Sequence, residues 1–138
     1  MKPVRALLAA VLLAAGTVAG AGGEMPAGKR VAPPAVAPLT LHGVRYEAPP
    51  DTRDFGDDQA GGYLVARDAR SGRELWRQRI YATAYDPKLE SDVQDVFIAS
   101  LRAGRGGRTL EITDERGRRY TLDLSSRVVQ EHGVRNRR

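Results

Sequence analysis

One stretch of the chain decides the fold: YLVARDARSGRELWRQRIYATA, residues 63–84. Side chains alternate between apolar and polar over Tyr63–Asp68, and the run from Leu75 to Ala84 is rich in aromatic and aliphatic residues, so both segments are predicted to be β-strands. The loop between them begins with Asp68 and has Gly72 near its end, which suits a type I turn closed by a left-handed residue. The stretch therefore predicts an antiparallel β-hairpin.

Similar alternation on both sides of this hairpin predicts further strands. They are expected at Leu39–Tyr46 with Gly43 as a bulge, at Val96–Arg102, at Thr109–Thr113, around Tyr120–Leu124, and briefly at Val128–Val129. Asp86 and Pro87 are typical of a helix start, so one short helix is predicted near residues 87–95. The expected fold is mainly β: a small antiparallel meander of about six strands, either a curled barrel or sandwich or a blade-like sheet.

The same alternation predicts one solvated sheet face, because antiparallel sheets commonly pack one face on the core. Arg77, Arg79, Thr121 and Asp123 mark this face. The residues expected inside include Trp76, Ile80, Phe97, Leu101, Leu110, Ile112, Tyr120 and Leu122.

The amino-terminal residues have the plan of a secretory signal peptide, with a basic start, an apolar run and small residues up to Ala21. The predicted division is a signal peptide at 1–21, a Pro/Ala-rich linker at 22–38, a single β domain at 39–130 and a basic tail at 131–138. The apolar run is about half the length that spans a bilayer, so no stable membrane span is expected after cleavage. A periplasmic or secreted protein is predicted.

The composition argues against several classes of partner and chemistry. Without Lys2 and Arg5 the chain has 20 basic and 17 acidic residues, a formal charge of +3, and the two signs are interspersed, so nucleic acid is not expected as a partner. The chain has no Cys, which excludes thiolate chemistry and disulfides.

The segment from Tyr63 to Trp76 resembles one blade motif of quinoprotein-type (PQQ-like) β-propeller repeats. Those repeats place an Asp, a Ser/Thr-Gly turn, a basic residue and then Leu-Trp at the spacing found in Asp68–Trp76. The resemblance implies that Trp76 is a packing residue and that Asp68 and Gly72 build the turn. It covers one hairpin and implies a blade-like meander. The quinone cofactor of such proteins sits within a closed ring of blades, so it is not carried over and no cofactor is predicted.

Candidate catalytic and metal residues are sparse, and neither a catalytic nor a metal site is predicted. The two histidines, His42 and His132, stand near opposite ends of the domain, and no nucleophile elbow is present. The carboxylates that come nearest to a metal site are Asp54, Asp57 and Asp58, because hard cations take carboxylate oxygens from loops of this kind.

A protein-contact surface is the remaining hypothesis. Tyr81 and Tyr85, near the end of a strand that carries Arg77 and Arg79, would form a contact patch if exposed, since Tyr and Arg are enriched at interfaces. The alternative is that both tyrosines pack on loop 49–62. The sequence thus predicts an exported, non-enzymatic module that binds another envelope protein or an envelope component. The alternatives are a small-ligand carrier or enzyme whose site is not visible in the sequence, and a blade-like domain that assembles with itself.

Overall fold

The computed structural model describes residues 32–134, which form eight strands in two four-stranded antiparallel sheets. The first sheet consists of β1 (Leu39–Leu41), β2 (Val44–Glu47), β3 (Tyr63–Asp68) and β4 (Glu74–Arg79). The second consists of β5 (Ile98–Ala103), β6 (Thr109–Asp114), β7 (Arg118–Asp123) and β8 (Val129–Val134). In both sheets each strand pairs with the next along the chain.

The predicted hairpin is confirmed as β3 and β4, but its second strand, predicted to reach Ala84, ends at Arg79. Tyr63 lies opposite Arg79, and Ala66 lies opposite Trp76. In the turn, Asp68 Oδ1 accepts hydrogen bonds from the amides of Arg70 and Ser71 at 3.0 and 2.7 Å, and Gly72 has a φ of 73°. The turn residues therefore behave as their types predict.

The prediction of about six strands is wrong, because the described residues 32–134 form eight. The predicted single strand at Leu39–Tyr46 is two strands, β1 and β2, and Gly43 is not a bulge within one strand. His42 and Gly43 have φ values of 49° and 76°, which is the positive pair that a two-residue hairpin turn needs. The brief strand expected at Val128–Val129 instead continues as β8 to Val134.

The predicted helix near residues 87–95 is absent from the part of the chain that the structure describes, where two short 3-10 turns are the only helical segments. Residues 86–95 form turns held by the Gln94 side chain. Its amide oxygen accepts from the Asp86 amide at 2.6 Å, and its amide nitrogen donates to the carbonyls of Asp86 and Glu90 at 3.0 and 3.1 Å. Leu89 and Val93 are 58% and 50% exposed, so no apolar face of a helix would be buried.

One hydrophobic core lies between the two sheets, which do not join into a closed barrel. The side chains of Leu64, Leu110, Ile112 and Leu122 are completely buried, and burial of each such side chain stabilises the fold by about 1.5–3 kcal/mol. The other core residues are Tyr46, Ala66, Ile80, Tyr81, Val96, Ile98 and Tyr120, with Trp76 partly buried against them. The sheets therefore pack as a small sandwich.

Polar and aromatic contacts at the turn between β7 and β8 also connect the two sheets. Gln78 Nε2 of the first sheet donates a hydrogen bond to the Arg127 carbonyl at 2.7 Å. The Arg127 guanidinium lies 3.5 Å from the centre of the Trp76 ring. Because the two sheets share no strand pairing, these contacts supply a directional link between them.

The predicted linker, residues 22–38, is described only from residue 32, where it forms no regular structure. The predicted signal peptide at 1–21 and the end of the predicted tail, Arg135–Arg138, lie outside the described residues.

The buried carboxylate of Asp114 generates the first prediction. It accepts from Arg118 Nε at 2.8 Å and from the amides of Arg116 and Arg118 at 2.9 Å, and only 1% of the residue is exposed. The Tyr120 hydroxyl donates to the same carboxylate at 3.4 Å. Asp114→Ala is expected to lower the free energy of unfolding by about 3 kcal/mol, because four donors lose their acceptor. Urea unfolding followed by circular dichroism measures the loss.

The matched control for this substitution is Asp68→Ala, which removes the equivalent turn aspartate from an exposed hairpin. Water replaces the lost acceptor there, so a much smaller decrease in the unfolding midpoint is expected. Equal decreases for the two variants would show that burial of Asp114 is not the cause.

Candidate functional site

The two arginines of the predicted contact patch are paired with carboxylates on the first sheet. Arg77 donates two hydrogen bonds of 3.0 Å to Glu74 and lies 3.9 Å from the centre of the Phe55 ring. Arg79 contacts Asp57 at 2.9 Å. Arg77 therefore contacts both its neighbour Glu74 and the loop 49–62, and Arg79 contacts the same loop. The charges of both arginines stabilise the fold.

The two tyrosines of that patch point away from an exposed contact surface. Tyr81 is only 7% exposed, donates to the Val96 carbonyl at 2.8 Å, and stacks on Tyr120 with ring centres 5.1 Å apart. Tyr85 is half-buried and donates to Asp95 Oδ1 at 2.7 Å. Because Tyr81 lies in the core, the four residues do not form one exposed patch.

A buried polar network that sequence reasoning missed joins the loop 49–62 to residues 81–97. Gln59, 3% exposed, donates through Nε2 to the carbonyls of Tyr81 and Gly61 at 2.9 and 3.0 Å, and its oxygen accepts from the Thr83 amide at 2.7 Å. Thr52 Oγ1 donates to the Gln59 carbonyl at 2.8 Å. No sequence signal marks these residues, because polar loop residues are usually exposed.

The three acidic loop residues do not converge on one point. Asp57 is held by Arg79, Asp58 lies 3.8 Å from Arg53, and Asp54 is exposed. Among residues 32–134, no group of three or more His, Asp or Glu side chains is placed to hold a metal ion.

The outer face of the second sheet carries an open polar groove of about 540 Å³. It crosses all four strands, because alternate residues of β5–β8 point away from the core. The groove-lining side chains, here called the outer groove, are Ser100, Arg102, Glu111, Thr113, Arg119, Thr121 and His132. The alternation of the sequence already placed Thr121 on a solvated face, and the same signal extends to Glu111, Thr113 and Arg119.

Charge in the outer groove is left unpaired. Among the described residues, neither Arg102 nor Arg119 has a carboxylate within 4.0 Å, although Glu111 lies opposite Arg102 in the strand register. Within residues 32–134, the one side-chain hydrogen bond of the outer groove joins Thr121 Oγ1 to His132 Nε2 at 2.7 Å. Two fork-shaped cations beside several hydroxyl groups are suited to binding carboxylates.

On the outer face of the first sheet, by contrast, the arginine charges are paired with carboxylates. Glu47 contacts both Arg45 and Arg67, and Glu74 binds Arg77. The loop 49–62 covers part of this face, with the Phe55 ring edge-on to that of Tyr63 and the ring centres 5.1 Å apart. The two histidines do not meet, since His132 lines the outer groove and His42 lies at the turn between β1 and β2.

A scan against models of known protein families finds no family that matches this chain, and a search of curated proteins finds no significant match. Within residues 32–134, no helix has the length and apolar character needed to cross a membrane.

The stacked tyrosines of the core predict an alkaline limit of stability. Burial, and next the Asp114 carboxylate, raise the pKa of Tyr120 to about 12, and burial also raises the pKa of Tyr81. Unfolded tyrosine ionises near pH 10, so the unfolded chain loses these protons first. The free energy of unfolding is expected to be constant to about pH 10 and to fall as the pH rises to about 12.

Urea unfolding at several pH values, together with tyrosinate absorbance, tests this expectation. Tyr120→Phe removes one of the responsible groups and is expected to reduce the pH dependence. Ionisation of all five tyrosines near pH 10 in a chain that keeps its native circular dichroism would contradict it.

Proposed function

We propose that this chain is an exported, non-enzymatic binding module whose outer groove holds an acidic segment of another envelope protein. Export rests on the signal-peptide pattern of residues 1–21. The observation that carries the proposal is the pair of arginines, Arg102 and Arg119, that have no carboxylate partner among the described residues of a fold that pairs its other sheet-face arginines.

The charge pattern supports an acidic partner. Arg102 and Arg119 stand on different strands and in different cross-strand rows of the groove, so they fit two carboxylates of one segment. Glu111 lies between them on β6 and accepts hydrogen bonds, which favours a donor side chain between the two acids. Ser100, Thr113 and Thr121 supply hydroxyl groups for main-chain or side-chain contacts.

The dimensions of the outer groove support a short extended segment. Four adjacent strands span three spacings of about 4.8 Å each, or about 14 Å. An extended peptide advances about 3.3 Å per residue, so about four residues cross the groove. The wall is mostly polar and has no enclosed reaction chamber, which agrees with binding better than with catalysis.

The alternatives are a blade-like domain that assembles with itself and a small-ligand carrier or enzyme. Self-assembly predicts a sedimentation coefficient that rises with protein concentration, whereas the proposed function predicts amide shifts in the outer groove on adding acidic peptide. Sedimentation velocity on the purified protein alone and an NMR titration with peptide therefore separate the two.

A tetraglutamate peptide with blocked ends is the probe for the third prediction, and NMR amide shifts are the readout. The expected shifts concentrate on β5–β8 at outward positions and diminish with added salt. Arg102→Ala and Arg119→Ala are each expected to weaken binding about fivefold, because each removes one charged contact at a partly exposed surface. Tetralysine is expected to cause no such shifts.

Arg45→Ala and Arg77→Ala on the first sheet are the matched control variants, since they remove the same charge from a neutralised face. Thermal melts of all four variants confirm that the fold is retained. If all four variants weaken peptide binding equally, the effect is due to net charge and the proposal is wrong. Amide shifts confined to the first sheet would overturn the assignment of the outer groove as the binding site.

A further inference from the structure

A second opening lies between the two sheets, at the end where the turns β1–β2, β5–β6 and β7–β8 meet. Its volume is about 620 Å³, within the range typical of small-molecule sites. The walls of this opening, here called the end cleft, are the side chains of Leu41, Val44, Tyr46 and Leu124. All four pack against the hydrophobic core, so the end cleft leads from solvent to apolar surface.

The end cleft is a fixed feature of the fold. The Leu124 amide donates to the Arg108 carbonyl at 3.1 Å and ties the β7–β8 turn to the β5–β6 turn. On the opposite side, His42 packs on Gly107, where a Cβ atom would lie 2.9 Å from His42 Nε2. The turns on both sides of the opening are therefore held in place before any ligand arrives.

Tyr46 provides a hydrogen-bond donor inside this cleft. The residue is only 5% exposed, and its hydroxyl has no hydrogen-bond partner among the described residues. The oxygen itself is open to solvent through the cleft, since Thr83 Oγ1 is the one sealed side-chain polar atom without a partner in residues 32–134. Burial raises the pKa of Tyr46, with Arg127 acting against it, so the hydroxyl is neutral and keeps its proton at physiological pH. A donor that faces the cleft and has no protein partner is free to bind a ligand that brings an acceptor.

Arg108 provides a cation at the rim. It is exposed, lines the cleft and has no carboxylate within 4.0 Å among the described residues. Asp123 also lines the cleft, but its Oδ1 is occupied by the amides of Ser125 and Ser126 at 2.9 and 2.8 Å. These turn donors, Ser126 first, lower the pKa of Asp123 to about 2, so Asp123 is ionised at neutral pH and its Oδ1 is engaged within the turn.

We propose that the end cleft binds a medium-chain carboxylate that carries an oxygen substituent along its chain, a hydroxy or oxo acid. The carboxylate lies at the rim against Arg108, the aliphatic chain lies between Leu41, Val44 and Leu124, and the substituent oxygen accepts a hydrogen bond from Tyr46. Apolar walls, one interior donor and one rim cation match the three parts of such a molecule. This site is separate from the outer groove and does not depend on the proposed function.

The probes for this inference are octanoate, its monohydroxy derivatives and octanol, added to the purified protein. The single tryptophan, Trp76, has its ring centre 5.9 Å from that of Tyr46, so its fluorescence reports occupancy of the cleft. At least one hydroxyoctanoate is expected to bind about fivefold more tightly than octanoate, because it gains the hydrogen bond from Tyr46. Octanol is expected to bind more weakly than octanoate, because it offers no charge to Arg108.

Two variants separate the parts of the proposal. Tyr46→Phe keeps the ring in the core and is expected to remove the preference for the hydroxy acid while leaving octanoate affinity unchanged. Arg108→Ala is expected to weaken octanoate and its hydroxy derivatives alike, by about fivefold. The matched control is Arg102→Ala, which lies in the outer groove and is expected to change tetraglutamate binding only.

Absence of a fluorescence change with every acid would overturn the inference, as would equal affinity for octanoate and all hydroxy derivatives in the unsubstituted protein. A hydroxy-acid preference that survives Tyr46→Phe would also overturn the role of that hydroxyl. Tetraglutamate does not enter an apolar cleft. A negative result with the acids therefore leaves the tetraglutamate result for the outer groove unaffected, and a negative result with tetraglutamate leaves the result for the end cleft unaffected.

Discussion

The strand registers of this domain depend on aspartates that end a strand and bind the following turn. Asp68, Asp114 and Asp123 each offer Oδ1 to two backbone amides of the turn that follows. A turn of fixed length fixes which residues face each other, and a slip of one residue would exchange the two faces of a strand. In β6 such a slip would place Glu111 in the core and Ile112 in water, so the core and the outer groove depend on the same turn chemistry.

The third of these turns differs from the others in a way that links the sheets. Gly72 and Gly117 have φ values of 73° and 80° near the ends of their turns, and Arg127 has a φ of 63° at the position equivalent to Gly72. A residue with a side chain costs about 1 kcal/mol there relative to glycine. The Arg127 side chain lies over Trp76 and its carbonyl accepts from Gln78, so contacts across the two sheets offset the backbone strain. The blade-repeat resemblance implies a packing role for Trp76 but does not contain this contact, and the resemblance itself stays a prediction.

Local chemistry explains what could be predicted from the sequence. The hairpin from Tyr63 to Arg79 was predictable because its turn signals and its alternation agree. The helix expected near residues 87–95 was wrong because the Gln94 side chain binds backbone groups that helical spacing cannot reveal. The burial of Tyr81 depends on the stacking partner Tyr120, which is 39 positions away in the sequence. The alternation of the sequence predicts which residues of the outer groove point outward. Whether an arginine there is paired with a carboxylate depends on contacts between strands and loops, which the alternation does not show.

The two sheets have the same topology but use charge differently, and this difference follows from what covers them. The loop 49–62 bends over the first sheet, brings Asp57 to Arg79 and Phe55 to Arg77, and so makes that face part of the fold. The connections within the second sheet are short turns with no residues to spare for its outer face, so Arg102 and Arg119 stay unpaired among the described residues. Strand β7 then serves three environments, because Thr121 lines the outer groove, Leu122 lies in the core, and Asp123, its last residue, lines the end cleft. A single register error in this strand would disturb both sites and the core together, which is why the turn aspartates on either side of β7, Asp114 and Asp123, are central to the architecture.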